Sequence, residues 1–362
     1  LINNQLISTV GTLRQSLHGL AERSGQEEQT KAYLMEYLRA NTSLRLEDNG
    51  QWFCAVHEEP QAKETVAFRA DMDALPFGDG AAHLCGHDGH SAVLAGLGLW
   101  LEGRSLGRNI VLIFQHAEET GAGGAVCAQV LKTHAADRVY AFHNIPGWET
   151  GTILLRRGTF ACASRGMTLS FQGAPSHAAY PEFGKNPGFA AAHVISALPE
   201  LVNTGRWQGL TMATLVGAQI GEKAFGCAAG SAELWLTLRA WHDRDLHTLA
   251  DTVIDTAETA AFSNGIRVSH SFCDSFPATV NDSDTLARLE QVCREAGLPC
   301  ADVAEPFRWS EDFGHYGALA KAVMVGIGDG LSWPQLHTEA YVFPDDILPQ
   351  ALTLFSALAE NG

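Results

Sequence analysis

The chain reads as an α/β protein in two parts. One is a mostly parallel sheet flanked by helices, and the other is an inserted ferredoxin-like α+β unit. Three observations carry this reading. Strand-like and helix-like segments alternate from Thr65 to His143, as in a parallel sheet covered on both faces. A later block has the order β-α-β-β-α-β, which closes on itself as a split unit. The length, 362 residues, exceeds one hydrophobic core and suits two domains.

Along the chain, Leu6, Ile7, Val10, Leu13, Leu17 and Leu20 recur at helical spacing. Ser24 followed by Glu27 fits a capping box opening a second helix that runs to Leu38. Residues 65–70 read as a strand, 91–101 as a helix and 109–114 as a buried strand. Residues 122–132 read as a helix and 138–143 as another strand. The inserted block has strands at 166–172, 210–219, 233–241 and 266–272. Its helices are 187–201 and 246–262, the second with Leu246, Leu249, Val253, Ile254 and Ala257 on one side. The expected division is residues 1–163 with 275–362, and 164–274 as the insert. After the insert come a helix at 286–296, a strand at 322–327, a polar loop with His337 and a last helix at 349–359. There is no internal repeat and no low-complexity linker.

Apolar residues make up 46% and charged residues 18%, an ordinary globular balance. The net charge of -17 disfavours nucleic acid and anionic membrane surfaces as partners, since both are recognised by basic patches. No run of eighteen apolar residues is present to span a bilayer. The first residues lack the basic stretch and apolar block of a signal peptide, so a cytoplasmic protein is expected. Eight scattered cysteines fit reduced thiols rather than a disulfide framework. Seven of them are expected to be small core residues.

The chemistry lies in five candidate metal ligands and a carboxylate base. Cys85 and His87 stand in L-C-G-H-D-G-H, and the pair Glu118-Glu119 in F-Q-H-A-E-E-T. His143 ends a strand and His337 lies in P-Q-L-H-T-E. Thiolate, imidazole and carboxylate hold first-row divalent metals. Singly, each has a dull alternative: paired acids are usually a solvated face, and lone Cys or His residues are mostly structural. Position strengthens them. Asp71, Asp73, the glutamate pair and His143 all follow or end strands, and open α/β sheets build sites at that edge. Of two adjacent glutamates there, one can ligate while the other takes a proton from water. His83 and His90 suit supporting or surface roles. Pro175-Ser176-His177 would by default be a surface turn, Arg239 a sheet-edge charge and 310–313 a helix start.

Seven motifs in order then resemble a known family. They are R-A-D-M-D-A-L-P (69–76), C-G-H-D-G-H (85–90), F-Q-H-A-E-E (114–119) and F-H-N-I-P-G (142–147), followed by G-A-P-S-H-A-A-Y-P (173–181), S-E-D-F (310–313) and L-H-T-E-A-Y (336–341). The set is similar to the metal-dependent amidohydrolases and metallopeptidases related to carboxypeptidase G, aminoacylase and the indole-acetyl-amino-acid hydrolases, over nearly the whole chain. The resemblance implies that Cys85, His87, Glu119, His143 and His337 ligate two divalent metal ions per chain, zinc or manganese. It makes Glu118 the general base and has His177 reach a neighbouring subunit's site to stabilise an oxyanion. It has Arg239 bind a small-molecule substrate's free carboxylate. The insert becomes the lid and dimerisation domain of a homodimer. The activity implied is amide hydrolysis of N-acyl or aryl-acyl amino acids. Alternatives are a dipeptidase or aminopeptidase with the same machinery, or an inactive metal- or ligand-binding homologue. The chain departs from the pattern at His116 (usually Pro), Gly226 (commonly Asn) and His18-Gly19-Leu20 (in place of His-Pro-Glu). None of these removes a ligand or the base.

Overall fold

The computed structural model describes residues 2–203 and 205–362. They divide into two compact units. The first comprises Leu1–Phe160, Thr279–Pro306 and Asp312–Gly362; the second comprises Ala161–Ala278 and Phe307–Glu311.

The first unit opens with helices α1 (Asn4–His18) and α2 (Glu28–Asn41) and strands β1 (Arg45–Asp48), β2 (Phe53–His57) and β3 (Thr65–Asp71). Helix α3 (His87–Leu101), β4 (Asn109–Gln115), β5 (Arg138–Pro146) and β6 (Ile153–Leu155) follow. The second unit holds β7 (Ala163–Gln172), α4 (Gly188–Val202), β8 (Thr211–Ile220), β9 (Ser231–Ala240), α5 (Asp243–Ser263) and β10 (Arg267–Phe276). The chain returns to the first unit with α6 (Ser283–Glu295), β11 (Cys300–Asp302), β12 (Lys321–Gly330) and α7 (Leu348–Asn361).

The first unit's sheet has eight strands in the order β1-β2-β4-β3-β5-β12-β6-β11. Its centre, β4-β3-β5-β12, is parallel throughout, so those carboxyl ends share one edge. β1 and β2 are antiparallel additions on one side. Helix α3 is buried on all sides but one residue, Leu99, which suits its continuous apolar composition. It packs closely because small residues face its neighbours. A Cβ added to Gly96 would come within 2.6 Å of Val10 and 2.7 Å of Leu352.

The second unit is a four-stranded antiparallel sheet, β8-β9-β7-β10, with α4 and α5 on one face. Strand β9 alternates buried and exposed residues, as a half-covered sheet requires. Met167, Leu169, Phe171, Leu234, Leu236 and Leu238 form its core with Val194, Leu198, Leu249 and Val253 of the helices. At about 1.5–3 kcal/mol for each large apolar side chain buried, such a core opposes the chain's conformational entropy.

Several local expectations are corrected. No capping box forms at Ser24: its hydroxyl donates to Asp73 at 2.5 Å, while Glu27 accepts from the amides of Gly25 and Ala117. A buried carboxylate is the stronger acceptor and draws Ser24 away. Residues 122–132 do not make one helix but two short turns, Gly124–Cys127 and Val130–Thr133. Helix α3 begins at His87, four residues before expectation, because Gly86 takes the left-handed conformation (φ +95°) that turns the chain into it. Arg239 lies on β9, an interior strand and not a sheet edge. Residues 312–318 form a 3-10 helix. Cys227, Cys273 and Cys300 are exposed rather than core. Strands β1 and β2 were not anticipated.

Beneath the parallel edge lies a buried ionic network. Arg69, on β3, donates to Asp71 at 2.6 Å, Gln115 at 3.0 Å and Asp312 at 2.9 Å. Gln115 donates to both oxygens of Asp312, and the Gly124 amide donates to Oδ2 at 2.7 Å. Breaking such a pair from one side leaves a buried charge poorly compensated. Asp312→Ala should lower the unfolding free energy by about 3 kcal/mol, measured by urea denaturation. A loss under about 1 kcal/mol would show that the network is not structurally important.

Candidate metal centre

The six side chains of the cluster are delivered to the edge by four stretches of the first unit. Cys85 immediately precedes the Gly86 turn, and His87 is the first residue of α3. Asn144 closes the space behind that turn: a Cβ at Gly86 would lie 2.5 Å from its Oδ1. Glu118 and Glu119 follow β4, His143 lies within β5 opposite Gly326 of β12, and His337 is in the loop after β12. Ala117 (φ +51°) and His337 (φ +63°) are both in left-handed conformation. Non-glycine residues rarely adopt it, and such strain gathers at sites.

The six side chains converge. Cys85 Sγ lies 3.5 Å from His143 Nε2 and 3.3 Å from His337 Nε2. Glu119 Oε1 lies 3.7 Å from His337 Nε2 and 3.8 Å from His87 Nε2. Glu118 Oε2 is 4.0 Å from His87 Nε2. Three overlapping triads each hold their donor atoms within 4.8 Å: Cys85-His87-His143, Cys85-Glu119-His337 and His87-Glu118-Glu119. All are buried except Glu119, which is partly buried, and His337, which is exposed.

The donor set fits divalent metal. His87 Nε2 and Glu119 Oε1 are both buried without a hydrogen-bond partner, and they face each other across 3.8 Å. That gap is too wide for a hydrogen bond. It is near the roughly 3–3.6 Å between two ligands of one ion bound at about 2.0–2.3 Å. Orphaned buried polar atoms are costly unless something satisfies them.

The ring nitrogens facing away from the cluster are tied down. His87 Nδ1 lies 3.1 Å from both the carbonyl and a carboxylate oxygen of Asp73. His143 Nδ1 donates to the Asn144 carbonyl at 2.8 Å. Both arrangements make Nδ1 a donor and aim Nε2 inward. Asp73 also accepts from the Glu119 amide at 2.9 Å, so one carboxylate holds two candidate ligands. His90 bridges Asp71 and Asn144, at 2.6 Å to each, and Asn144 in turn reaches Tyr341 and Asp329. Sequence reasoning placed Asp71 and Asp73 at the strand end without a role and missed Asn144, Asp329 and Tyr341. A signal existed in T-V-A-F-R-A-D, where a charged residue inside an apolar strand requires buried partners. His83 is buried with neither ring nitrogen bonded.

Electrostatics follow from burial. Burial pushes the Glu119 carboxyl up to about 7, against the attraction of His87. His87 is itself deeply buried, which favours the neutral ring, yet Asp71 and Asp73 together hold its pKa well above the usual value. Burial, with His90 and His87 nearby, holds His143 well below its usual value. Burial lowers His337 too. Asp329 is pushed up to about 7 by burial.

The other two candidates lie in the second unit. His177 is exposed on a two-residue strand, Ser176–His177, paired with Cys227–Ala228. Its Nδ1 accepts from the Ala179 amide at 3.1 Å. Gly226 lies beside this turn, its carbonyl accepting from the Ala178 amide at 2.9 Å. Arg239 donates from Nη1 to Ser310 Oγ at 2.8 Å and the Arg308 carbonyl at 3.0 Å.

Comparison with known proteins agrees with this geometry. Residues 67–361 match the family described as peptidase family M20/M25/M40. An uncharacterized hydrolase of Staphylococcus aureus (strain USA300) is 26% identical over 374 aligned residues, covering 96% of each chain. Among solved structures, the fold is shared with the Bacillus subtilis YXEP protein, described as a dinuclear metal binding peptidase from the M20 family. It has a TM-score of 0.84 and 22% identity, covering 99% of this chain and 98% of that one. An aminobenzoyl-glutamate utilization protein from Klebsiella pneumoniae superposes with a TM-score of 0.77 at 22% identity, covering 99% of this chain and 97% of that one. The chain belongs to peptidase family M20/M25/M40 and is a hydrolase of that family. No helix among the described residues is long and apolar enough to cross a membrane.

The strained backbone at His337 gives a direct test. His337→Gly and His337→Ala remove the same imidazole, but only alanine must keep a Cβ at positive φ. The glycine variant should be more stable than the alanine variant by about 1 kcal/mol in thermal or urea unfolding. Equal stability would mean that the loop relaxes to negative φ without cost.

Proposed function

We propose that this member of the M20/M25/M40 family hydrolyses the amide bond of N-acyl or aryl-acyl amino acids, with two divalent metal ions, zinc or manganese, held by Cys85, His87, Glu119, His143 and His337. The observation that carries this reading is the convergence of thiol, imidazole and carboxylate donors around the orphaned atoms of His87 and Glu119. Ions there would lower the pKa of a water and polarise the scissile carbonyl. The protein's own groups do the rest. Glu118 takes a proton from the attacking water and delivers it to the departing amine. Its Oε1 accepts from the Asp312 amide at 3.4 Å, which orients the carboxylate while Oε2 faces His87. Asp73 and the Asn144 carbonyl hold the two imidazoles in register.

His177 is assigned to the negative charge that develops on the carbonyl oxygen, acting from the partner chain of a homodimer. Arg239 is assigned to the substrate carboxylate. Support for an acyl-amino-acid substrate comes from the Cys85-Gly86-His87 motif, whose resemblance is to the amidohydrolase branch. The shared fold with an aminobenzoyl-glutamate utilization protein is compatible with it. A dipeptidase using the same machinery is the rival. A panel of N-acyl amino acids and dipeptides, assayed with added zinc or manganese, separates the two. Preference for free-amine dipeptides would overturn the acyl-amino-acid reading.

The division of labour between the glutamates is testable. Glu118→Gln should keep its metal content and lose at least ~100-fold in turnover, the usual scale for a general base. Glu119→Gln should lose metal. The opposite pattern would reverse the assignment. For His177, mixed dimers of His177→Ala and Glu118→Gln chains should recover one working site from two nearly inactive parents. No recovery after demonstrated subunit exchange, or full activity of a monomer, would remove the cross-subunit role.

A further inference from the structure

A second group of ligand-type side chains lies in the first unit and shares no residue with the centre above. It comprises Glu47 on β1, Cys54 on β2 and His134, which follows the short helical turn Val130–Thr133. The Cys54 thiol lies 3.3 Å from Glu47 Oε2, and His134 Nε2 lies 3.0 Å from the same oxygen. All three donor atoms fall within 4.8 Å of one another. We propose that Glu47, Cys54 and His134 form a separate site for one zinc-type divalent ion.

The geometry and the chemistry agree. Bonds of about 2.3 Å to sulfur and about 2.0–2.1 Å to nitrogen and oxygen place tetrahedral ligands roughly 3.3–3.6 Å apart. The observed 3.0 and 3.3 Å require only small opening around an ion. One thiolate, one imidazole and one carboxylate is a donor set that selects zinc over magnesium or calcium. The second oxygen of Glu47 pairs with Arg45, which fixes the carboxylate so that Oε2 faces the thiol and the imidazole. Cys54 is fully buried, whereas the side chains of His134 and Glu47 keep 12% and 25% of their exposure. The ion would therefore approach from solvent past His134 and Glu47, with the thiol at the inner end. Water completes the fourth position.

Binding exchanges one proton for the ion. The thiol proton leaves for solvent as the sulfur–metal bond forms, the His134 proton moves by way of solvent from Nε2 to Nδ1 so that Nε2 can bind, and the hydrogen bonds to Glu47 Oε2 give way to coordination. Burial and the Glu47 carboxylate push the Cys54 thiol up, so an empty site stays protonated and resists oxidation. Occupancy would join the β1-β2 margin of the sheet to the segment that follows the Glu118-Glu119 turn. The site is thus a structural tie, independent of the reaction proposed above.

Cobalt(II) reports it. In a Cys85→Ser, His87→Ala background, which removes the sulfur of the other cluster, the chelator-stripped protein is titrated with cobalt(II). A thiolate-to-cobalt charge-transfer band should grow to saturation at one equivalent and be displaced by zinc. Adding Cys54→Ser should abolish it. His134→Gln and Glu47→Gln should each weaken cobalt binding by roughly 10-fold or more, with unchanged circular dichroism. These two lie nearer the surface and carry the test if the serine variant misfolds. Absence of the band, a band that survives loss of Cys54, or a cobalt affinity unchanged by loss of His134 or Glu47 overturns the proposal. Because the background has no thiolate in the first centre and the band reports sulfur ligation, neither outcome depends on the proposed amide hydrolysis.

Discussion

Asp73 is the group on which the candidate centre depends most. It is wholly buried beyond the end of β3, and its two oxygens receive the Ser24 hydroxyl, the Glu119 amide and the His87 ring. These partners come from three separate stretches of chain. A buried carboxylate is tolerated only when its lone pairs are filled, so folding and site assembly become one requirement. Asp71, two residues earlier, does the same work on the other side. It is held by Arg69 and orients His90 toward Asn144. The alternation along R-A-D-M-D makes this possible. Arg69 and Asp71 project from the same side of the strand, whereas Ala70 and Met72 enter the apolar core.

Much of this was legible in the sequence, for identifiable reasons. Parallel strands β3, β4, β5 and β12 are mostly apolar runs, and helix α3 is apolar around its circumference after its first turn, so periodicity and length sufficed. The ligand-type residues stood out because each follows a strand. What escaped was set by tertiary partners. Ser24 and Glu27 have the spacing of a cap, but Asp73 and the Ala117 amide compete for them. Residues 122–132 have helical composition, yet Gly124 must let its amide reach Asp312, which binds the segment before a continuous helix can run. Strands β1 and β2 are short, and β1 (R-L-E-D) has a single apolar residue. Their pairing is decided by β4 alongside, not by local pattern.

The outer ring of the site was the least readable part. Asn144, Tyr341 and Asp329 are far apart in sequence and meet only when β5, β12 and the following loop are in register. None carries a spacing that could announce this. Their effect is indirect but physical. Asn144 blocks any side chain larger than hydrogen at residue 86, and its own carbonyl holds His143. One residue thereby shapes the turn that presents Cys85 and orients the imidazole that faces it.

The two adjacent glutamates, proposed above as base and ligand, show how one turn gives neighbouring side chains different surroundings. Ala117, at φ +51°, ends the extended run of β4, so Glu118 and Glu119 leave a strained turn rather than continuing the pleat. Glu118 keeps one oxygen on the Asp312 amide, and Asp312 is itself anchored to Arg69, Gln115 and Gly124. Its carboxylate is therefore positioned from the rigid network below. Glu119 is positioned by its backbone, through the amide on Asp73, and its carboxylate presents a buried oxygen without a hydrogen-bond donor. An acceptor in that state is poised for a cation. An acceptor already oriented by an amide, with its second oxygen 4.0 Å from His87, is poised for a proton. The proposed division of roles between two identical side chains thus rests on what holds each of them, not on what they are.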